Sequence, residues 1–187
     1  MKSIAIILLA WLSFVNQGAV GLYVCKNAKL SIYSSAPIED ISAETASGTS
    51  VYNPTTGDMA FSINIRSLTF PKSLMQEHFN SDYMDSDKYP KATFTGKVQQ
   101  TIDATKNGVY PVTATGVLEV HGVNQNRTIT GNIAVNNGAI TLTSEFLVKC
   151  ADHHIKIPQL VFRNIAESIK VNISAIYNSY KSTNPTK

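Results

Sequence analysis

The chain has 187 residues, of which 43% are apolar and 16% are charged. This length supports one domain with its own hydrophobic core, and the composition excludes a disordered or fibrous chain. With 16 Lys and Arg against 13 Asp and Glu, the net charge is +3, and the basic residues are scattered along the chain. A basic surface for phosphate groups is therefore disfavoured, and no nucleic-acid partner is expected.

Residues 1–21 have the pattern of a secretory signal peptide. An early lysine precedes an apolar run over 4–15, and the small residues Ala19 and Gly21 occupy positions −3 and −1 of a cleavage site. The run is shorter than the ~20 residues that a membrane-spanning helix needs. We therefore expect an exported protein, periplasmic in a bacterium or secreted, with no integral membrane span after cleavage.

Alternating apolar and polar residues predict β-strands in the rest of the chain, because successive side chains of a strand point to opposite faces. The cleanest alternation is that of Phe61, Ile63 and Ile65 with the residues between them. The predicted strands lie at 28–33, 38–52, 59–66, 91–98, 112–121, 129–135, 140–148 and 169–177. Turn sequences at 54–58, 106–108 and 136–138 favour antiparallel neighbours.

One segment, 72–84, has helical instead of alternating spacing: Leu74, Met75, Phe79 and Tyr83 would share one helix face. A second short helix or irregular stretch is expected at 158–167, and a flexible tail at 179–187. The predicted domain covers 22–178.

Eight half-apolar strands must close into a barrel or fold into a sandwich, since a flat sheet would expose its edges. The pattern alone leaves both open. Gly96, Gly116 and Gly131 fall in the apolar register, where we expect them to leave room inside. A barrel with its apolar face turned to lipid is disfavoured by the helical segment and by the absence of paired aromatic girdles.

Four motifs resemble the YceI-like family. The long central one is FPKSLMQEHFNSDYMDSDKYPKATFTG at 70–96, and the others are SSAP at 34–37, GVLEVHGV at 116–123 and DHHIKIP at 152–158. The resemblance covers nearly the whole chain after 21, in order. At 124–127 the sequence NQNR departs from the Thr and Lys that the family often carries.

The resemblance implies an eight-stranded antiparallel lipocalin-like barrel with one helical excursion, which binds a polyisoprenoid or another long-chain lipid and is not an enzyme. No cofactor is implied, and a homodimer is left open. The residues expected to contact the lipid are Phe61, Ile63, Ile65, Leu74, Met75, Phe79, Phe94, Gly116, Leu118, Val120, Ile133, Phe146 and Ile173. Two alternatives remain: a small exported hydrolase, which needs His, Ser or carboxylates converging in a pocket, and a structural barrel with a filled core.

Two cysteines remain after the expected cleavage. Cys150 continues the inward register of Phe146 and Val148, whereas Cys25 shares the outward parity of Lys29. Unless a bulge shifts the first strand, we expect the two thiols to be free.

The four histidines, His78, His121, His153 and His154, are the remaining candidates for metal binding or acid–base chemistry. His153 and His154 are adjacent in the chain, so in an extended segment they would point in opposite directions. A metal site, which needs converging ligands, is disfavoured, and no catalytic residue is predicted.

Overall fold

A computed structural model describes residues 21–35, 40–157 and 167–180. Eight strands form one closed barrel in which each strand pairs antiparallel with the next and β8 pairs with β1. The strands are β1 (Tyr23–Ser34), β2 (Ile41–Tyr52), β3 (Asp58–Asn64), β4 (Lys91–Val98), β5 (Gly108–Val120), β6 (Val123–Asn136), β7 (Ala139–Lys149) and β8 (Ser168–Ser179). The predicted barrel is confirmed, and the sandwich alternative is excluded.

Tight turns set the strand order at two hairpins. His121 and Gly122 between β5 and β6 both have positive φ, at 53° and 70°, and so do Asn137 and Gly138 between β6 and β7, at 49° and 81°. Positive φ at both central residues is the backbone of a two-residue turn that matches the twist of the flanking strands. The turn predicted at 136–138 is thus confirmed.

The predicted helical segment lies between β3 and β4 and is divided into two parts. It consists of α1 (Ser73–His78) followed directly by a π-helical turn over Phe79–Tyr83. The same end of the barrel carries the β5–β6 hairpin and a 3₁₀-helix over Cys150–His153. We call this the helical end, and the opposite end, with the β2–β3 and β6–β7 turns, the turn end.

A bulge near the start of β1 overturns one prediction. Lys26 and Asn27 are both exposed, and the β1–β2 register shifts between Cys25 and Ala28. Cys25 is consequently 1% exposed, not on the outer face as predicted. The extra residue of a bulge reverses the parity of everything before it.

The thiols of Cys25 and Cys150 are free, as predicted. Cys25 lies at the turn end, beside the last residues of β8, and Cys150 lies at the helical end, where its backbone N–H donates to Glu167 O. Along β8, nine residues lie between the position beside Cys25 and the position beside Cys150, which corresponds to about 30 Å at ~3.3 Å per residue. That separation is far beyond disulfide reach.

Within the described ranges, no helix has the length and apolar character needed to span a membrane. Three predictions fall largely on residues outside those described: the signal peptide at 1–21, of which 1–20 are not described, the short helix or irregular stretch at 158–167, of which 158–166 are not, and the flexible tail at 179–187, of which 181–187 are not.

Candidate functional site

The barrel interior contains a cavity of about 180 Å³. Its walls are the inward-facing side chains of the strands, from Val98, Val112 and Tyr177 near the turn end to Phe79 and Met84 at the helical end. Among the described residues that line it, none carries a charge. Such a surface attracts apolar groups only through the area that they remove from water.

The helical segment covers one end of this cavity because Gln76 fixes it to the chain before it. The side chain of Gln76 accepts from Phe70 N at 3.1 Å and donates to Leu68 O at 2.8 Å. The rings of Phe70 and Phe79 pack at 4.8 Å between centroids. Phe79 and Met84, which line the cavity, are thereby held over the barrel mouth.

A small polar cluster lies at the turn end. The hydroxyl of Tyr177, which lines the cavity, hydrogen bonds to Ser50 Oγ at 2.7 Å, and the Tyr52 ring lies 6.1 Å from the Tyr177 ring. Burial raises the pKa of Tyr52 to about 12 and raises that of Tyr177 as well. Both phenols are therefore neutral at physiological pH.

Nine of the thirteen residues expected to contact lipid line this cavity. They are Phe61, Ile63, Ile65, Phe79, Phe94, Leu118, Val120, Phe146 and Ile173. The predicted inward orientation is confirmed for all of them except Phe79, for which none was predicted from alternation. For the seven that lie in strands, the alternation of the strand fixes which face a side chain occupies, and Ile65 keeps that register in the turn after β3. Their contact with a lipid stays a prediction.

The other four residues, Leu74, Met75, Gly116 and Ile133, do not line the cavity. Leu74 is 61% exposed on the outer side of α1, and Met75 is half-buried against the core. Ile133 is buried in the core but does not line the cavity. The helical spacing predicted a shared face, but it could not predict which side of so short a helix faces the barrel.

Gly116 corrects the expectation that inward glycines leave empty space. It pairs with Gly96, and a Cβ added to Gly116 would lie 2.3 Å from Thr95 O and 2.5 Å from the Gly96 Cα. The space that a side chain would need is occupied by the neighbouring backbone. Gly131, whose added Cβ would lie 2.5 Å from Thr143 O, shows the same close approach. These glycines permit tight strand packing.

Sequence reasoning missed several lining residues. Tyr177 ends a predicted strand in the inward register, so its parity could have identified it. Cys150, which the alternation placed in the inward register but which was not among the residues expected to contact lipid, also lines the cavity. Ile155 lines it from beyond the 3₁₀-helix after β7, where alternation no longer applies.

The histidines gather at the helical end but not in the cavity wall. His153 is buried, and its Nδ1 lies 3.1 Å from Val123 O, so this nitrogen carries the proton. Its own carbonyl accepts from His121 Nδ1 at 3.1 Å. Desolvation lowers the pKa of His153, which keeps the ring neutral. The described residues contain no group of three metal-ligating side chains.

The hydrolase alternative required catalytic groups converging in a pocket. The described cavity lining contains neither histidine nor carboxylate. The hydroxyl of Ser144, which does line the cavity, donates to Thr130 O at 2.7 Å. The geometry that would favour a hydrolase is thus missing from this part of the chain.

Comparison with known proteins agrees with the geometry. The model of the YceI-like domain matches residues 28–177, which is most of the chain. The chain belongs to the YceI-like family. None of the curated proteins matches it.

Solved structures of distant relatives share this YceI-like fold. A polyisoprenoid-binding domain from Saccharophagus degradans, implicated in plant cell wall breakdown, is 16% identical, with 86% of this chain and 99% of that chain covered and a TM-score of 0.71. Burkholderia cenocepacia BcnA is 17% identical, with 80% of this chain and 95% of that chain covered and a TM-score of 0.66. A Campylobacter jejuni YCEI protein is 18% identical, with 97% of this chain and 100% of that chain covered and a TM-score of 0.55.

Proposed function

We propose that this protein is an exported carrier that holds a long-chain isoprenoid, or a lipid of similar shape, in the barrel cavity. The observation that carries the proposal is an unfilled apolar cavity with no charged group among its described lining residues. A filled core, the structural-barrel alternative, would leave no such space. The polyisoprenoid-binding domain of Saccharophagus degradans, which shares the fold, supports the choice of lipid class.

The volume of the cavity limits the length of chain that it holds. A water-sized group needs about 10–15 Å³ of such volume, so about 180 Å³ accommodates roughly 12 to 18 groups. A methylene is similar in size to a water molecule. The cavity therefore fits a chain of about three isoprene units, and a longer chain must extend beyond it or displace side chains.

A series of prenyl alcohols tests this length limit. Five more buried carbons contribute up to about 4 kcal/mol at ~0.8 kcal/mol each. Farnesol, with three isoprene units, is therefore expected to bind up to about a thousandfold more tightly than geraniol, with two. Geranylgeraniol, with four, should gain less than tenfold over farnesol. Isothermal titration calorimetry measures all three, and affinity that ignores chain length would contradict the proposal.

A variant that fills the cavity tests whether the ligand lies there. Ala114 lines the cavity in the middle of β5, and Val117 on the same strand is 38% exposed on the outer face. Ala114→Trp should weaken farnesol binding at least tenfold, whereas Val117→Trp, the matched control, should leave it unchanged. Circular dichroism must show that both variants fold.

Two results would refute the proposal. One is an Ala114→Trp protein that folds and binds farnesol as the wild type does. The other is a wild-type protein that neither binds farnesol nor carries lipid detectable by mass spectrometry of its organic extract.

Export is part of the same proposal. It is supported by the distance of one residue between the expected cleavage site after Gly21 and the start of β1 at Tyr23. Leu22 O accepts from Tyr180 N at 2.7 Å, so the barrel would keep its first hydrogen bonds after cleavage. Mass spectrometry of the protein from the exported fraction should find Leu22 at the N-terminus, and a retained 1–21 segment would contradict cleavage.

A further inference from the structure

Among the described residues, the backbone pairing of the barrel wall is incomplete between β6 and β7. These strands pair only from Asn132↔Thr143 to Asn136↔Ala139, near the turn end. On its other edge β6 pairs with β5 along its length, from Gly108↔Val135 to Val120↔Val123. In the described chain, residues 123–131 of β6 and 144–149 of β7 therefore face each other without a backbone ladder, although the two backbones still approach closely at Gly131, where an added Cβ would lie 2.5 Å from Thr143 O. We call this unladdered stretch the slit.

The pairing between β2 and β3 is also short, but there the backbone of the segment after β3 hydrogen bonds to the unpaired part of β2. In this respect it differs from the slit. Beyond Thr49↔Ser62, where the β2–β3 pairing ends, Glu44 N donates to Thr69 O at 3.2 Å and Thr69 N donates to Glu44 O at 2.8 Å. The segment after β3 thus takes the place of the missing strand.

Side chains cross the slit instead. Ser144 Oγ donates to Thr130 O at 2.7 Å, and Arg127 Nη2 donates to Leu147 O at 2.5 Å. Closer to the helical end, Gln125 Nε2 donates to Asp152 O at 2.7 Å. Together with His153 Nδ1, which donates to Val123 O at 3.1 Å, these side chains bond to four different carbonyls across the described part of the slit and just beyond its helical end.

The two β6 side chains that cross the slit occupy the inward register. Gln125 and Arg127 share the parity of Ile129 and Ile133, whose side chains face the barrel interior. A side chain can release a carbonyl by changing rotamer, which is fast, whereas a backbone ladder opens only by local unfolding. The slit is consequently a part of the described wall that can open without breaking a backbone ladder.

The cavity reaches the slit. Thr130, Gly131, Ser144 and Ile173 line the interior cavity and also line a groove on the outer surface. In the part of the chain that the structure describes, one layer of residues therefore separates the apolar interior from the outer groove here. Gly131 contributes no side chain to that layer.

We propose that the slit is a lateral portal through which the lipid chain enters and leaves the barrel, with Arg127 and Ser144 as the latch. This inference rests on the proposed lipid-carrier function. A sideways opening admits a long chain over its length instead of threading it from one end. At the helical end, by contrast, Gln76 fixes the cover by two hydrogen bonds to backbone.

A reversible disulfide across the slit tests the portal. Thr130 and Glu145 are both exposed, and continuing the register beyond Asn132↔Thr143 places them opposite each other. The variant Thr130→Cys with Glu145→Cys is loaded with radiolabelled farnesol and mixed with phosphatidylcholine vesicles, and release is followed by gel filtration. The oxidised protein should release farnesol at least tenfold more slowly than the same protein after reduction.

The matched control places the disulfide where the ladder is intact. Asn132→Cys with Thr143→Cys joins two residues that are already paired in the ladder of the same two strands, and both residues are exposed. Oxidation of this pair should change the release rate less than twofold. Mass spectrometry establishes that each disulfide has formed.

A latch variant gives an independent readout. Arg127→Met keeps most of the side-chain length but removes the bond to Leu147 O, so it should release farnesol at least threefold faster than the wild type. A slit disulfide that binds farnesol but leaves release unchanged overturns the portal in favour of the helical end. If the slit cysteines do not join, an unchanged rate in Arg127→Met overturns it. Failure of the wild type to bind farnesol refutes the carrier function and the portal together.

Discussion

Gly116→Ala should destabilise the barrel, although it adds only one methyl group. That methyl carbon would lie 2.3 Å from Thr95 O and 2.5 Å from the Gly96 Cα, and both atoms belong to backbone. Overpacking costs about 1–3 kcal/mol, and contacts with backbone place this change at the upper end. The lower unfolded-state entropy of Ala returns about 0.4–1 kcal/mol. The expected net loss in the free energy of unfolding is about 2 kcal/mol.

Thermal and urea denaturation measure this loss. For a chain of this size, about 2 kcal/mol corresponds to a decrease of roughly 4–8 °C in Tm. Gly108→Ala is the matched control on the same strand, since the three atoms nearest to its added Cβ all belong to the Tyr110 side chain, at 3.2–3.4 Å, and a side chain can move where backbone cannot. It should stay within about 1 kcal/mol of the wild type. Equal stability of the two variants would refute the close approach of β4 and β5.

Two further predictions concern buried titratable groups. Because burial lowers the pKa of His153, the unfolded chain binds more protons, so stability is fully present above about pH 6.5 and falls below it by at most ~1.4 kcal/mol per pH unit. His153→Gln should reduce this slope in urea titrations, whereas the exposed His154→Gln should keep it; equal slopes would contradict the assignment. Cys25 and Cys150 should react with a thiol reagent only after denaturation, and a reductant that lowers Tm would show that they are paired.

The strands of the barrel were predictable because the polarity of each residue in an alternating segment indicates which face of the sheet it occupies. In β3 the inward positions of Phe61 and Ile63 are apolar, and this fixed the face of the strand without knowledge of its neighbours. Once eight such faces are known, closing the sheet buries all of them. The family resemblance then favoured the barrel over the sandwich, which the pattern alone did not decide.

The bulge at Lys26 and Asn27 was not predictable from the sequence. Each residue there suits an exposed position, and only the partner strand reveals that two successive side chains face outward. The expectation that the inward glycines leave room inside the barrel was wrong for a related reason. A missing side chain at Gly116 is compatible with empty space or with close backbone, and the distance to Thr95 O decides between them.

The start of β6 shows how a departure from alternation carries information. The observed strand begins at Val123, six residues before the predicted start at residue 129. The prediction missed this stretch because Gln125 and Arg127 put polar side chains in the inward register, where alternation leads one to expect apolar residues. A polar residue facing an apolar interior costs free energy unless it is hydrogen bonded, and here both side chains reach carbonyls across the slit. The sequence pattern of alternating apolar residues thus departs from the observed strand in the stretch of β6 that has no backbone hydrogen-bond ladder with β7. Such disagreements are expected at functional positions, which makes this stretch of β6 the part of the wall where the portal proposal is most directly tested.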